Sequence, residues 1–218
     1  MLFGKIDYLN LLPFYVYMKR SLRHSKELAT LNYKKGVPSQ INRDYKARKI
    51  DAAFISSITS RSEHCQDIGI IANKKVLSVI LIPGNNRADK ESASSNALAN
   101  ILGLSGEVLI GDKALRYALK NSDYIDLAQE WYKKYKLPFV FARLCCHKPN
   151  KKFAKTANKF ANSNVKIPTY ILRSAAIKND ISIKEVKSYL KLIKYRINPS
   201  SKRGLNKFFS LLHNKSLL

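Results

Sequence analysis

The order of strands and helices at the start of the chain constrains the fold more than any other feature. Residues 2–9 alternate like a strand, residues 10–13 break it, and a helical stretch follows over 14–23. A weaker strand over 29–33 precedes a helix over 40–49, which Ser39 can cap. Residues 50–57 then read as a buried parallel strand that ends in two serines. This β-α-β-α-β order predicts an α/β fold with a parallel sheet.

The middle of the chain predicts a second lobe. Strands over 68–72 and 76–82 lead to a turn at 83–86, and small polar residues follow over 87–106. A strand over 107–111 and helices over 113–120 and 127–135 come next, with Trp131 on a core face. A long strand over 137–146 can return the chain to the first lobe. We therefore expect lobe 1 to comprise 1–82 and 144–218 and lobe 2 to comprise 83–143, joined by two crossover strands.

The last third of the chain predicts helices over 153–160, 167–176, 182–197 and 204–213. Ser182 and Glu185 have the capping-box spacing at the start of the third. The formal net charge is +25, and over half of the excess lies after residue 147. Its lysines alternate with apolar residues at helical spacing, which is typical of a solvated helix face. Without a block of like charge, zinc-finger spacing or an aromatic RNA-binding signature, we expect no nucleic-acid partner.

Apolar runs and cysteines indicate the compartment. The most apolar run, 76–82, is far shorter than the roughly 20 residues that cross a bilayer, so we expect no membrane insertion. The start of the chain lacks the pattern of an export signal, which predicts a cytoplasmic protein. Cys65, Cys145 and Cys146 fit a reducing compartment as buried small hydrophobes, because an adjacent pair is ill-suited to an ordinary disulfide. Metal-ligand spacing is absent, so we expect no metal and no other cofactor.

Three short segments put small polar groups at junctions between strands, loops and helices. They are residues 7–13, 36–42 and 109–115. At such junctions hydroxyls and backbone amides can converge on an anionic ligand.

These segments resemble motifs of the chorismate dehydratase family. The matches are Tyr8-Leu9-Asn10 with Pro13, residues 36–39 with Asn42, and residues 109–115. Further similarity at 50–57, 78–79, 92–95 and 126–142 extends the resemblance in order over roughly residues 3–147. The segment after Cys146 matches weakly, the chain is shorter than typical relatives, and Ser94 stands where relatives tend to have threonine.

The resemblance implies a two-lobed, periplasmic-binding-protein-like (type 2) fold with a ligand cleft between the lobes. It also implies a hydro-lyase that converts chorismate to 3-[(1-carboxyvinyl)oxy]benzoate and water, the first step of the futalosine route to menaquinone. Chorismate, a dianion, is then the small-molecule partner, and the protein is expected to be a monomer or a weak homodimer. The aromatic product supplies the driving force, so the protein must mainly orient the substrate and bind its carboxylates.

Asn10 is the candidate catalytic residue, because an amide can hold the departing hydroxyl or a carboxylate through its donor and acceptor. The resemblance suggests that the substrate's own carboxylate takes the proton. The structural alternative is a turn residue that caps the loop before Pro13.

Seven further residues are candidates for substrate binding, and most are hydroxyls at element ends. Each serine has a structural alternative as a cap or loop hydroxyl, and for Ser39 capping is favoured. Asp112 could act as a general acid, but it more often braces the hinge. Arg143 and His147 are left open. The candidates are Ser39, Ser56, Ser57, Ser78, Ser94, Ser95 and Asp112.

Three other functions remain open. A non-catalytic solute-binding protein of the same fold would explain the cleft equally well. The sister enzyme of the same pathway, which cleaves a cyclised futalosine derivative, would share the fold with a different N-terminal signature. A basic nucleic-acid-binding protein would reveal itself by salt-dependent DNA binding.

Overall fold

The computed structural model describes residues 1–22, 32–148 and 151–214. Strands and helices alternate along most of this length, with 3-10 turns at Leu9–Leu11 and Thr59–Ser62. In chain order the elements are β1 (Leu2–Lys5), α1 (Leu12–Leu22), β2 (Asn32–Lys35), α2 (Pro38–Lys46), β3 (Ala52–Ser56), β4 (Cys65–Ala72), β5 (Val79–Pro83), α3 (Ala93–Leu102), β6 (Gly106–Ile110), α4 (Gly111–Lys120), β7 (Ile125–Asp126), α5 (Leu127–Tyr135), β8 (Phe139–Cys146), α6 (Lys151–Ala161), α7 (Thr169–Asn179), α8 (Ile183–Leu192), β9 (Ile193–Arg196) and α9 (Pro199–Asn214).

The larger sheet has the strand order β2-β1-β3-β8-β4-β9. Strand β1 pairs in parallel with β2 and β3, as the β-α-β-α-β order predicts. Strand β8 returns from the second lobe and inserts antiparallel between β3 and β4, and β9 completes the edge. The predicted α/β architecture is therefore confirmed, with a sheet that is parallel only in its first three strands.

The smaller sheet has the order β6-β5-β7, and both pairings are antiparallel. The expected lobe boundaries at 82/83 and 143/144 lie within β5 and β8. The chain passes from the larger sheet to the smaller one between Ala72 and Val79, and it returns to the larger sheet between Asp126 and Phe139. We therefore propose that the two lobe crossings lie in those connections.

Aromatic side chains fill much of the core that packs against the larger sheet. The Phe14 ring lies 5.0 Å from that of Phe54 and 5.2 Å from that of Phe160, which ties α1 and α6 to β3. Trp131 is fully buried, as predicted, and packs on Phe139 of β8. Burial of each such ring contributes about 1.5–3 kcal/mol.

Helices α2 and α8 have ends that differ from the sequence prediction. Helix α2 begins at Pro38 with Val37 at the N-cap, so Ser39 does not cap it. Proline suits the first helical turn because its missing N–H would have no partner there. The helix predicted over 182–197 has the expected capping box but ends at Leu192, after which β9 pairs with β4. Residues 29–31 of the strand predicted over 29–33 lie outside the described residues, and strand β2 covers Asn32–Lys35.

The prediction for the cysteines is wrong in one respect. Cys65 and Cys145 lie opposite each other on the antiparallel strands β4 and β8 and form a disulfide. Cys146 is buried as predicted, with its Sγ 2.8 Å from the carbonyl oxygen of Lys148. Neighbouring strand residues point to opposite faces, so only one cysteine of the adjacent pair can meet Cys65.

No helix in the described ranges is both long and apolar enough to cross a bilayer. Within the same residues, no three His, Cys, Asp or Glu side chains gather as they would around a metal ion.

Candidate functional site

A cleft of about 650 Å³, including its open mouth, is lined by residues of both sheets. Apolar side chains form most of the walls, and polar groups come from loops and helix starts. The lining residues are Ile6, Tyr8, Asn10, Leu11, Pro38, Phe54, Ser56, Ile70, Val76, Ser78, Val79, Glu91, Ser92, Ser95, Ile110, Gly111, Phe141 and Ala142.

Three helix N-termini meet at this cleft. Pro38 is the first residue of α2, Gly111 is the first of α4, and Ser92 is the N-cap of α3 with Ser95 in the first turn. First-turn N–H groups have no partner within the helix and carry the positive end of its dipole. None of the described lining residues is Lys, Arg or His. The cleft can therefore attract an anion through backbone dipoles and hydroxyls without a cationic side chain.

Asn10 lies in the 3-10 turn of residues 9–11 and lines the cleft. The Tyr195 hydroxyl donates to the Asn10 carbonyl oxygen at 2.6 Å. One residue earlier, the backbone N–H of Leu9 donates to Asp112 Oδ1 at 2.9 Å. The turn that presents Asn10 is thus held from both lobes.

Ser78 follows a residue in an unusual backbone conformation. Leu77 has a φ of 63°, which costs a non-glycine residue about 1–2 kcal/mol. The backbone N–H groups of Val76 and Leu77 both donate to Asp126 Oδ2, at 2.8 and 2.7 Å. Burial raises the pKa of Asp126, and these hydrogen bonds oppose the rise. Asp126 thereby holds the turn that directs Ser78 into the cleft.

Ser56 and Ser95 complete the predicted residues that line the cleft. Asn42 bonds Ser56 twice, from its Nδ2 to Ser56 Oγ and from the Ser56 N–H to its Oδ1, each at 3.1 Å. Ser92 Oγ donates to Ser95 Oγ at 2.7 Å and accepts from the Ser95 N–H. The N-cap of α3 is therefore Ser92, two residues before the predicted serine pair.

Four predicted residues lie outside the lining. Ser57 is fully buried and donates to the Val140 carbonyl oxygen. Ser94 Oγ accepts from the Ile58 N–H at 3.1 Å, which joins the two lobes. Asp112 accepts from the Leu9 N–H and so braces the Asn10 turn, and burial raises its pKa. Ser39 lies one residue beyond the lining residue Pro38.

The two residues left open also lie away from the cleft lining. Arg143 donates to the Ser60 carbonyl oxygen at 3.2 Å. His147 stacks on Tyr45, with ring centroids 3.9 Å apart, and its Nε2 lies 2.8 Å from the Tyr45 carbonyl oxygen.

Sequence reasoning missed a contact between Tyr8 and Glu91. Both line the cleft, and the Tyr8 hydroxyl donates to the Glu91 carboxylate. Burial raises the pKa of Tyr8, and Glu91 raises it further, so the phenol stays protonated. Tyr8 belongs to the first segment that resembles the family, but Glu91 lies in a loop that matches none of the family motifs. The negative charge of the Glu91 carboxylate is thus partly compensated by the Tyr8 hydroxyl, which donates to it from the opposite lobe.

Comparisons with known proteins bear on the family and on the fold. Residues 96–214 match a protein family described as menaquinone biosynthesis. A curated Campylobacter jejuni protein named chorismate dehydratase is 46% identical over 213 residues, which cover 95% of this chain and 96% of the relative.

Solved structures confirm the periplasmic-binding-protein fold. Protein AF1704 of Archaeoglobus fulgidus has a TM-score of 0.67 at 12% identity, covering 100% of this chain and 98% of its own. The alkanesulfonate-binding protein SsuA of Xanthomonas axonopodis pv. citri, bound to MOPS, has a TM-score of 0.66 at 10% identity, covering 100% and 93%. The periplasmic aliphatic sulphonate binding protein SsuA of Escherichia coli has a TM-score of 0.61 at 13% identity, covering 100% and 88%. At such low identity the likeness extends to the fold alone.

Proposed function

Because the chain belongs to the chorismate dehydratase family of menaquinone biosynthesis, we propose that it removes water from chorismate in this cleft. The observation that carries the proposal is 46% identity to a chorismate dehydratase over nearly the whole of both chains. The product would be 3-[(1-carboxyvinyl)oxy]benzoate, which makes the protein a carbon-oxygen lyase. A cytoplasmic location remains a prediction from the sequence.

The cleft suits a dianion that carries an apolar ring. The N-terminus of α3, with the hydroxyl of Ser95, offers donors for one carboxylate from the second lobe. Ser56 and the N-terminus of α2 offer donors from the first lobe. Phe54 and Phe141 provide apolar wall between them. Helix dipoles and hydroxyls bind anions without placing a strong base beside the ring.

The elimination needs little acid-base chemistry from the protein. A proton leaves the ether-bearing ring carbon, and hydroxide leaves the neighbouring carbon and is protonated to water. The new double bond completes an aromatic ring, so the driving force lies in the substrate. The family resemblance implies that the substrate's own carboxylate accepts the proton. The protein then contributes by holding that carboxylate close to the ring proton and by fixing the orientation of the departing hydroxyl.

Asn10 and Ser78 are suited to the ring hydroxyl. Both line the cleft, and the buried Tyr189 hydroxyl holds Ser78 in place by donating to its Oγ at 2.8 Å. A donor directed at the departing oxygen stabilises the negative charge that develops there. We assign Asn10 the catalytic role and Ser56, Ser78 and Ser95 roles in binding.

The test is to incubate purified protein with chorismate, follow the loss of diene absorbance and identify the product by mass. We expect loss of one water and an aromatic product. The variant Asn10→Ala should remain folded by circular dichroism and lose nearly all turnover. The exposed Asn121, whose Nδ2 donates to the Tyr117 carbonyl oxygen, supplies the control Asn121→Ala, which should keep wild-type turnover.

Two results would contradict the proposal. Tight chorismate binding by the wild type without turnover would indicate a solute-binding protein. Turnover of a cyclised futalosine derivative in place of chorismate would indicate the sister enzyme. Full activity of Asn10→Ala would leave the reaction in place and remove Asn10 from it.

A further inference from the structure

A second groove lies between the loop that follows α6 and the segment formed by α8 and β9. It measures about 1420 Å³, including its open mouth, and its lining shares no residue with that of the cleft. Four of its described lining side chains are lysines, and none of them is Asp or Glu. The described lining of the cleft has the opposite character, with Glu91 and no Lys, Arg or His. The groove is therefore a separate, positively charged cavity.

The four lysines come from two segments of the chain. Lys187 and Lys191 lie one turn apart on α8, Lys194 follows in β9, and Lys166 lies in the loop before α7. All four are exposed, and none takes part in an ion pair within the described ranges. Like charges one helical turn apart repel each other. The groove thus gathers positive charge that no described protein group neutralises.

The carboxylates of the same part of the chain are engaged elsewhere. Asp180 and Glu185 are the only acidic side chains after residue 147. Asp180 accepts from Lys120 Nζ at 2.6 Å, and Glu185 accepts from the Ser182 N–H at 2.7 Å in the capping box of α8. A counter-charge for the four lysines must therefore come from a ligand or from salt in the solvent.

Apolar side chains line the groove between the lysines. Val165, Ile167 and Leu190 are each half-buried, and the buried Phe160 and Ile193 line the groove as well. Lysines on a fully hydrated surface would attract simple salt ions, whereas partly exposed apolar surface beside them favours a ligand that brings hydrocarbon to cover it. The combination suits a molecule with an anionic head and an apolar body.

We propose that this groove binds one molecule of an amphiphile that has a phosphate head and an apolar body. Ammonium groups bind phosphate as point charges, and a phosphate monoester carries close to two negative charges at neutral pH, which several lysines can share. A concave cavity encloses a single ligand, whereas a bilayer would need a flat or convex face. The inference goes beyond the proposed function and does not depend on it.

The test measures the binding of octyl phosphate to the full chain by calorimetry, below the concentration at which this amphiphile forms micelles. Inorganic phosphate supplies the head without the body, and octyl glucoside supplies the body without the charge. We expect saturable one-to-one binding of octyl phosphate. Either part alone should bind at least about tenfold more weakly, because each loses one of the two contributions.

A pair of double variants locates the site. Lys187→Gln/Lys191→Gln removes two of the four cations and should weaken octyl phosphate binding at least about tenfold. The matched control is Lys155→Gln/Lys159→Gln, which removes the same net charge from exposed positions one turn apart on α6 that do not line the groove. This control should bind octyl phosphate like the wild type, and circular dichroism checks that both variants are folded.

Three results would overturn the inference. Equal loss of affinity in the two double variants would show attraction by net charge alone. Equal affinity for inorganic phosphate and octyl phosphate would show a simple ion site. Sedimentation with phosphatidylglycerol vesicles tests the other source of phosphate. Vesicle binding that Lys187→Gln/Lys191→Gln abolishes, without any binding of soluble octyl phosphate, would make this face a membrane-binding surface. Each of these results would leave the turnover of chorismate untouched, so the proposed function is judged separately.

Discussion

Replacement of Gly111 by alanine should reveal how tightly the two lobes meet at the cleft. Gly111 begins α4 with a φ of 67°, and the ring of Tyr8 lies against its Cα. An alanine Cβ would come within 2.6 Å of Tyr8 Cζ and 2.7 Å of Cε2. Tyr8 must then move, and the movement would break its hydrogen bond to Glu91.

The cost has two parts. A non-glycine residue in the left-handed region costs about 1–2 kcal/mol. Overpacking of the ring adds about 1–3 kcal/mol. Gly103 separates the two, because it has a φ of 72° at the end of α3 and an alanine Cβ there would meet no atom within 4 Å. We therefore expect Gly111→Ala to destabilise the protein by about 2–5 kcal/mol and Gly103→Ala by about 1–2 kcal/mol.

Urea unfolding of both variants measures the difference, and thermal unfolding should separate them by about 2–4 °C for each kcal/mol. Chorismate turnover, measured well below both transitions, should fall in Gly111→Ala alone, because Tyr8 lines the cleft. Equal loss of stability in the two variants would refute the close packing of Tyr8 on Gly111.

Adjacent serines of α3 should behave differently when replaced. Ser95→Ala should raise the KM for chorismate about tenfold, the equivalent of about 1.4 kcal/mol, because Ser95 lines the cleft. Ser94→Ala should instead lower stability, because it removes the acceptor for the Ile58 N–H. Equal KM values in the two variants would place the carboxylate elsewhere. Stability should also depend on pH through Asp44, whose pKa the hydrogen bond from Lys34 lowers from its ordinary 3.8. Stability from this ion pair is present above 3.8 and lost as pH falls through the lower pKa of the folded state. Asp44→Asn should therefore be less stable than wild type at pH 7 and converge with it in acid, and parallel pH profiles would contradict that role.

The serine pairs show the limit of sequence reasoning about the site. Residues at strand ends and helix starts were recognisable, and Asn10, Ser56, Ser78 and Ser95 do line one cleft. Their neighbours Ser57 and Ser94 have the same chemistry and turn away from the lining. Which neighbour faces a ligand depends on the side chains and strands packed behind it, and sequence position does not record that.

The partners behind the site were also beyond the sequence. Tyr189 and Tyr195 lie in the C-terminal part, where motif similarity was weak, and they contact residues more than a hundred positions away. Glu91 sits in a loop with no pattern of its own and meets Tyr8 only because the lobes close on each other.

Local elements, the α/β class and the polar junctions could be predicted from the sequence, because hydrophobic period, caps and turn residues act over a few positions. Tertiary structure alone decided that β8 runs antiparallel between β3 and β4, that residues 193–196 form an edge strand, and that Cys65 meets Cys145. Those outcomes follow from backbone groups that must find partners across the sheet. A chain segment does not specify which distant strand will supply them.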